Sequence, residues 1–584
     1  MRRAGAVVIG VDKTGGLDPL KSAAAGAKQV TAWLAGEGLD VVCLTDGPTT
    51  TVTSQDVSKA IARFATKPPT YDFLVVYFSG HGQWHTRADH WLLSGAPENT
   101  SEAVNLEGAM YTARRSGIPN VVFISDACRT IPKADTGSLV NGVDAFPNHG
   151  IPSISKIDYF KATSESRPAY EIPIGGMPRS VLTHAILSAF VDPEPQIVAE
   201  IVDGVETFSV IPNRQLESVL QTRVDAILDG VQGSPTQDLD TNVPSADTVY
   251  IARVHPKPPV PPALPRLPKP PVGVDVTGEF HARRRPQREI PGRLVANAVD
   301  DNLDGGPFTA GLHRVNPDDI ARRTPDATVD HFETQTGFIV RGARVANAAI
   351  SPYANSSVLV LNRPRSDAVR INPGVSALPV VVELQDGRCA VLAALRGYLG
   401  HAYFDEEGLA NVSYVPSSNS ARWSAYNARR KDIDELRSLV ALAVDHDTFR
   451  VRSKRQADRL ADRIRIEKAA DPTLALYAAY AFAQAGLDDQ VREVGMYMRE
   501  DLGADLFDVR MLSGNARRLR ADDRIQAPFC PMLTQGWNLL RAYGVELPSA
   551  LNDASRFLAN SLWSTFTRRG AAIVFAAVQA GELQ

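Results

Sequence analysis

Phe73-Leu74-Val75-Val76-Tyr77-Phe78-Ser79-Gly80-His81-Gly82 sets the fold class of this chain, and Val121-Val122-Phe123-Ile124-Ser125-Asp126-Ala127-Cys128-Arg129 repeats its form. Each stretch opens with an unbroken apolar run and closes on a short turn carrying a reactive side chain. Such runs fit parallel strands covered on both faces. In an open α/β sheet the carboxyl ends of these strands face one crevice, where ligands and reacting groups collect. A His and a Cys delivered there supply a thiol nucleophile and an acid/base partner. His81 and Cys128 stand 47 positions apart.

Outward from these two strands, the first 250 or so residues alternate strand and helix signals. Strands are expected at 6–11, 41–44, 159–162 and 248–254, and helices at 20–36, 54–65, 105–115, 179–190 and 213–228. Ser54 reads as the cap of the second helix. The alternation predicts an α/β domain over 1–255, with a mostly parallel sheet flanked by helices. From 130 to 156 the chain is rich in Gly, Pro, Asp and Asn and reads as a loop.

Residues 255–271 contain nine prolines. That density excludes helix and central strand, so 256–329 reads as a Pro/Arg-rich linker. A β-rich segment is expected over 330–423, with strands at 336–340, 357–361, 378–384 and 389–395. An all-helical regulatory or sensor domain is expected over 424–584, with helical spacing at 432–444, 454–469, 473–485, 490–500 and 549–580. Asp471-Pro472-Thr473 forms a helix opening and Gly486 a stop.

The two motif segments, in this order and spacing, resemble the caspase/metacaspase clan of cysteine peptidases, in which the His lies about 50 residues before the Cys. The resemblance covers roughly residues 5–255. Asp126-Ala127-Cys128 is similar to the metacaspase and bacterial caspase-like pattern, whereas Arg129-Thr130 departs from it where a Gly is expected. The resemblance implies Cys128 as nucleophile, His81 as acid/base, and the amides of Gly82 and Cys128 as an oxyanion hole. It implies Asp126 at the floor of a pocket selecting Arg or Lys before the scissile bond. The second acid of that pocket is missing, since Gly26 occupies its position. Ser164 and Glu171 lie where relatives hold the substrate backbone, and 130–156 lies where they carry a processing loop.

Alternatives stand beside each residue. Cys128 could be a buried strand-end cysteine, and Asp126 a cap on local amides. His85 and His90 rival His81, but neither directly follows a strand. Asp72 and Asp89 read as solvated surface, and no metal site is expected, although calcium-dependent relatives exist. The basic clusters at 283–288, 450–455 and 517–524 read as solvated faces rather than a nucleic-acid groove.

The 584 residues, with 44% hydrophobic and 22% charged side chains and a net charge of −4, give no global reason for nucleic-acid or membrane binding. The start of the sequence lacks a signal-peptide pattern. Cysteines at 43, 128, 389 and 530 form neither a disulfide framework nor a metal motif. The expectation is therefore a cytoplasmic cysteine endopeptidase acting on protein substrates without a cofactor. Its long C-terminal region would respond to a small-molecule or protein activator, and bacterial proteins of this build suggest a stress or antiviral cell-death role. A non-proteolytic scaffold, another thiol hydrolase and a ligand-sensing signalling protein are the alternative functions.

Overall fold

The computed structural model describes residues 2–130, 140–149, 155–164, 167–174, 177–203, 206–229, 236–255, 332–364, 366–430, 433–434, 437, 440, 471–514 and 526–583. The chain divides into two compact units, Met1–Arg283 and Arg284–Gln584. The proline-rich stretch and all three basic clusters lie outside the described residues. So do the central part of the expected loop and most of the expected helices at 432–444 and 454–469.

The first unit is built on a six-stranded sheet. Strands β1 (Ala4–Gly10), β2 (Asp40–Thr45) and β3 (Phe73–Gly80) are joined by helices α1 (Ala23–Gly36) and α2 (Ser54–Phe64). Next come the short strands β4 (Gly82–His85), β5 (Ala88–Leu92) and β6 (Ala103–Asn105), then α3 (Leu106–Arg114), β7 (Asn120–Ala127) and β8 (Lys156–Lys161). The hairpin β9 (Glu171–Ile174) and β10 (Met177–Ser180) leads into α4 (Val181–Val191). Strands β11 (Ala199–Asp203) and β12 (Glu206–Pro212), helix α5 (Asn213–Leu228), and strands β13 (Asp240–Asn242) and β14 (Tyr250–Arg253) follow.

The main sheet has the order β13-β8-β7-β3-β1-β2. All its pairings are parallel except that of β13, which runs antiparallel along the β8 edge. The apolar runs behave as their pattern predicts, because every residue of β3 and nearly every one of β7 is buried. Alternate residues face opposite layers. Val8, Val75, Tyr77, Val122 and Ile124 pack with Leu34 of α1, Ile186 of α4 and Leu216 of α5. Ile9, Leu74, Val76, Phe78 and Phe123 pack with Ile61 and Phe64 of α2 and Leu106 of α3. Each such side chain, when fully buried, contributes roughly 1.5–3 kcal/mol. The sheet is thus the rigid part of the unit, and its carboxyl edge is held in place from both faces.

Several local expectations need correction. The cap of α2 is Thr53, not Ser54, and forms a capping box with Asp56. The strand read at 248–254 does not join the main sheet, because β14 pairs antiparallel with β12 in the order β11-β12-β14. The sheet β4-β5-β6 had no counterpart in the sequence reading. It is antiparallel and follows directly from the end of β3.

In the second unit, one sheet has the order Ser357–Leu361, Asp367–Asn372, Gly337–Arg341, Tyr398–Phe404 and Leu409–Pro416. The other runs Val345–Ala349, Ala377–Leu384, Cys389–Leu395 and Thr565–Phe566. Thr565–Phe566 comes from the stretch expected to be all helical, so the β-rich and helical segments share one unit. The single helix read at 549–580 is two, Ser549–Ser555 and Arg568–Gln579, with that strand between them. The predicted opening holds: Asp471 accepts from the Thr473 amide at 2.9 Å and caps Pro472–Gln484. Gly486 then adopts φ +72°, beyond the reach of most side chains, and ends the run. No helix among the described residues is long and apolar enough to cross a membrane.

Candidate active site

Strands β3 and β7 are adjacent and in register, with Gly80 opposite Ala127. The same offset returns beyond the strand ends, where Gln83 bridges Thr130. His81 and Cys128 therefore occupy facing positions at neighbouring strand ends, on backbones about 4.8 Å apart. The pairing stays tight through this point. A Cβ on residue 82 would collide with the Cys128 carbonyl oxygen, so Gly82 is required by close approach.

The small sheet fixes the His81 side. The Leu92 amide donates to the His81 carbonyl at 2.9 Å, and the Trp84 amide to the Thr130 carbonyl at 3.0 Å. Trp91 stacks on Phe78 with ring centroids 4.9 Å apart and donates its indole N–H to Ser125 Oγ at 2.8 Å. His81 Nε2 lies 2.8 Å from the Asp18 carbonyl oxygen. A carbonyl only accepts, so Nε2 carries the hydrogen and the neutral ring keeps its lone pair on Nδ1. The rival histidines are enclosed. His85 and His90 are both buried, and burial pushes His90 down to about 4, which keeps it neutral at pH 7.

Cys128 is clasped by one residue. Its sulfur accepts from the Ala169 amide at 3.3 Å and donates to the Ala169 carbonyl at 3.6 Å. The Arg129 amide donates to the Arg167 carbonyl at 3.0 Å, tying the same two segments together. Burial pushes the thiol above its ordinary range, the Ala169 amide pulls it back in part, and the Asp126 and Glu171 charges push it further. In this arrangement the sulfur is protonated at neutral pH.

Arg129, the departure from the expected pattern, is the hub of a buried charge cluster. Its guanidinium bonds Asp89 at 2.6 Å, Asp240 at 2.8 Å and the Thr163 carbonyl at 3.2 Å. Lys161 bonds Asp89 at 2.6 Å and Glu107 at 3.3 Å. Asp89 is therefore a core anchor, 4% exposed, and not solvated surface. Burial raises Asp89, but the two cations outweigh it and hold it below the usual carboxylate range. Burial lifts Glu107 to about 7 against the pull of Lys161. The cluster links β5, α3, β8, β13 and the residue after Cys128.

Asp126 is 5% exposed. It accepts from the Thr183 amide at 3.3 Å and from the Thr183 hydroxyl, which also meets the Tyr77 hydroxyl at 2.6 Å. Burial pushes its carboxyl up to about 6, against these bonds. A folded-state pKa above the unfolded one means stability is lost as pH rises, here from about 4 to 6, and stays level above. Asp126→Asn should therefore gain on wild type over that window, by at most about 3 kcal/mol at neutral pH. Urea unfolding at pH 4 and pH 7.5 measures this, and an equal difference at both values contradicts it.

Residues 3–221 match a family model, Peptidase_C14, the caspase domain. The N-terminal domain is caspase-like. This family consists of cysteine peptidases, and the matched residues contain both β3 and β7. No curated protein matches the sequence. Among solved structures the chain is similar to protein GSU0716 from Geobacter sulfurreducens, at 15% identity over 41% of this chain and 93% of that one. The TM-score of 0.28 makes this too slight a likeness to build on.

Within the caspase-like domain, His81, Gly82, Asp126 and Cys128 converge on the carboxyl ends of β3 and β7. Ser164 stands three positions beyond β8 and half-buried, beside the Thr163 carbonyl that Arg129 holds. Sequence reasoning missed Asp18 and Ala169, which act through backbone atoms and leave no side-chain signal. It also missed Thr183, whose role follows from standing in the first turn of α4. No group of His, Cys, Asp and Glu among the described residues is arranged to hold a metal ion.

Proposed function

We propose that the chain is a cysteine endopeptidase in which Cys128 attacks the peptide carbonyl and His81 handles the protons. The observation carrying this reading is the facing placement of the two residues at adjacent strand ends, with His81 Nε2 engaged by the Asp18 carbonyl. The free Nδ1 takes the thiol proton. The thiolate forms an S–C bond to the carbonyl carbon, and the amides of Gly82 and Cys128 receive the oxyanion. His81 then protonates the leaving amine, the C–N bond breaks, and water activated by His81 hydrolyses the acyl-enzyme.

The preferred residue before the scissile bond is Arg or Lys, which the carboxylates at this edge of the sheet favour. The thiol is protonated and held by the Ala169 backbone until His81 takes its proton. Control by a small-molecule or protein activator of the C-terminal region fits a second unit far larger than catalysis needs. The proposed setting is cytoplasmic, and the stress or antiviral cell-death role rests on fold-level analogy alone. Fluorogenic peptides ending in Arg, Lys or Asp, assayed with and without cell lysate, test the reading. Turnover after Arg or Lys supports it; turnover confined to Asp overturns the specificity, and activity retained by Cys128→Ala overturns the mechanism.

A further inference from the structure

The carboxylates at the carboxyl edge of the sheet differ in what they have left to offer a substrate. Asp12, just beyond β1, accepts from the Ala23 and Ala24 amides at 2.9 and 3.2 Å and serves the start of α1. Asp126 is buried under Thr183. Glu171 is half-buried. Its described partners are the Ser22 hydroxyl at 2.6 Å and the Lys21 amide at 3.4 Å.

A cleft lies between the first turns of α1 and α4, with Ser22, Gly26, Ser180 and Thr183 in its lining. Glu171 meets two of the residues that line it, through its bond to Ser22 and as the cross-strand partner of Ser180 in the β9–β10 ladder. Thr183 is the residue that carries Asp126. Ala169, which clasps the Cys128 sulfur, is only two positions before Glu171, roughly 7 Å along an extended chain. Gly26 leaves the α1 wall open, since a Cβ there would make only an ordinary contact, 3.6 Å, with the Tyr77 hydroxyl.

We propose that Glu171 is the specificity carboxylate, receiving the cationic side chain of the substrate residue before the scissile bond while Asp126 lies beneath it. The assignment rests on the peptidase reading above and takes over the part of the acid that Gly26 replaces. A guanidinium can form charge-assisted hydrogen bonds with Glu171 without entering the Thr183-sealed site. Arg179 and His184 also line the cleft. Arg179 pairs with Ile172, one position along from the Ser180–Glu171 pair, and its charge reaches His184. His184 is pushed down by burial and by Arg179, which leaves it uncharged at neutral pH. The Glu171 charge also bears on the chemistry. Burial is the main reason Cys128 and Asp126 sit high, and Glu171 adds to both. A cation placed on Glu171 offsets that addition and eases ionisation of the thiol.

The test uses the full-length protein and two chloromethyl ketones, one built on arginine and one on norleucine. In each, the Cys128 sulfur forms a bond to the methylene carbon as chloride leaves, so the rate reports recognition without peptide turnover. Labelling is mapped to Cys128 by mass spectrometry. Wild type should favour the arginine reagent, and Glu171→Gln should cut the arginine-to-norleucine rate ratio about ten- to a hundredfold. Glu171→Asp, which keeps the charge, should retain most of the ratio. A purely structural role in holding α1 would slow both reagents by one factor and leave the ratio intact, which would overturn the proposal. So would a wild-type protein without arginine preference, or one that neither reagent labels. Arginine-selective labelling without turnover of any peptide, even in the presence of cell lysate, would sink the peptidase reading while leaving Glu171 in its assigned place.

Discussion

Cys128→Ala should lower kcat/KM on peptide substrates by on the order of 10⁴-fold or more, with His81→Ala close behind and the double variant little worse than either. The non-additivity is the informative part. A nucleophile and the base that ionises it act as one device, so losing either loses nearly the whole contribution. The geometry makes the dependence on His81 strong here, because burial keeps the Cys128 thiol protonated when it is left to itself. Alkylation of Cys128 by iodoacetamide in the resting protein should accordingly rise with pH to a midpoint above about 8.5, the value of a free thiol. Residual peptidase activity within tenfold of wild type in Cys128→Ala would remove this residue from the mechanism.

Arg129→Ala should be the most destabilising single change near the site, costing about 3–5 kcal/mol, because it strips a buried cation from two carboxylates. Asp89 and Asp240 would keep Lys161 nearby but lose their direct bonds to the guanidinium. Arg129→Lys should recover only part of the loss, since one ammonium cannot span Asp89, Asp240 and the Thr163 carbonyl with the same fork. Urea unfolding of the full-length protein, followed through tryptophan fluorescence, should show the first transition moving down by about 1 M or more. A shift too small to measure would mean the cluster is hydrated and weak. Because the Arg129 amide also holds the Arg167 carbonyl, loss of the cluster should loosen the clasp on the neighbouring sulfur.

How much of this was legible in the sequence depended on what each feature is made of. Apolar runs such as 73–78 and 121–124 identify strands because burial on both faces leaves no room for polar residues. The facing positions of His81 and Cys128 followed from their place at the ends of those runs. The β4–β5 hairpin was hidden because its turn residues, Thr86 and Arg87, adopt φ of 51° and 60° without the Asn-Gly or Gly signal of a tight turn. Arg129 was visible as a departure, but its partners come from positions 89 and 240 and only the tertiary fold brings them together. Asp89 looked like a surface acid because nothing in the sequence discloses two buried cations beside it. Asp18 and Ala169 contribute backbone atoms, which every residue has and no pattern marks.

The Ala169 clasp has a consequence for survival under oxidative conditions. Peroxide reacts with thiolate far faster than with thiol, and only with sulfur it can reach. Burial holds Cys128 as the thiol, so its oxidation toward sulfinic and sulfonic acid should be slow in the state described. Under the mechanism proposed above, the sulfur would become sensitive to peroxide at the moment His81 takes its proton.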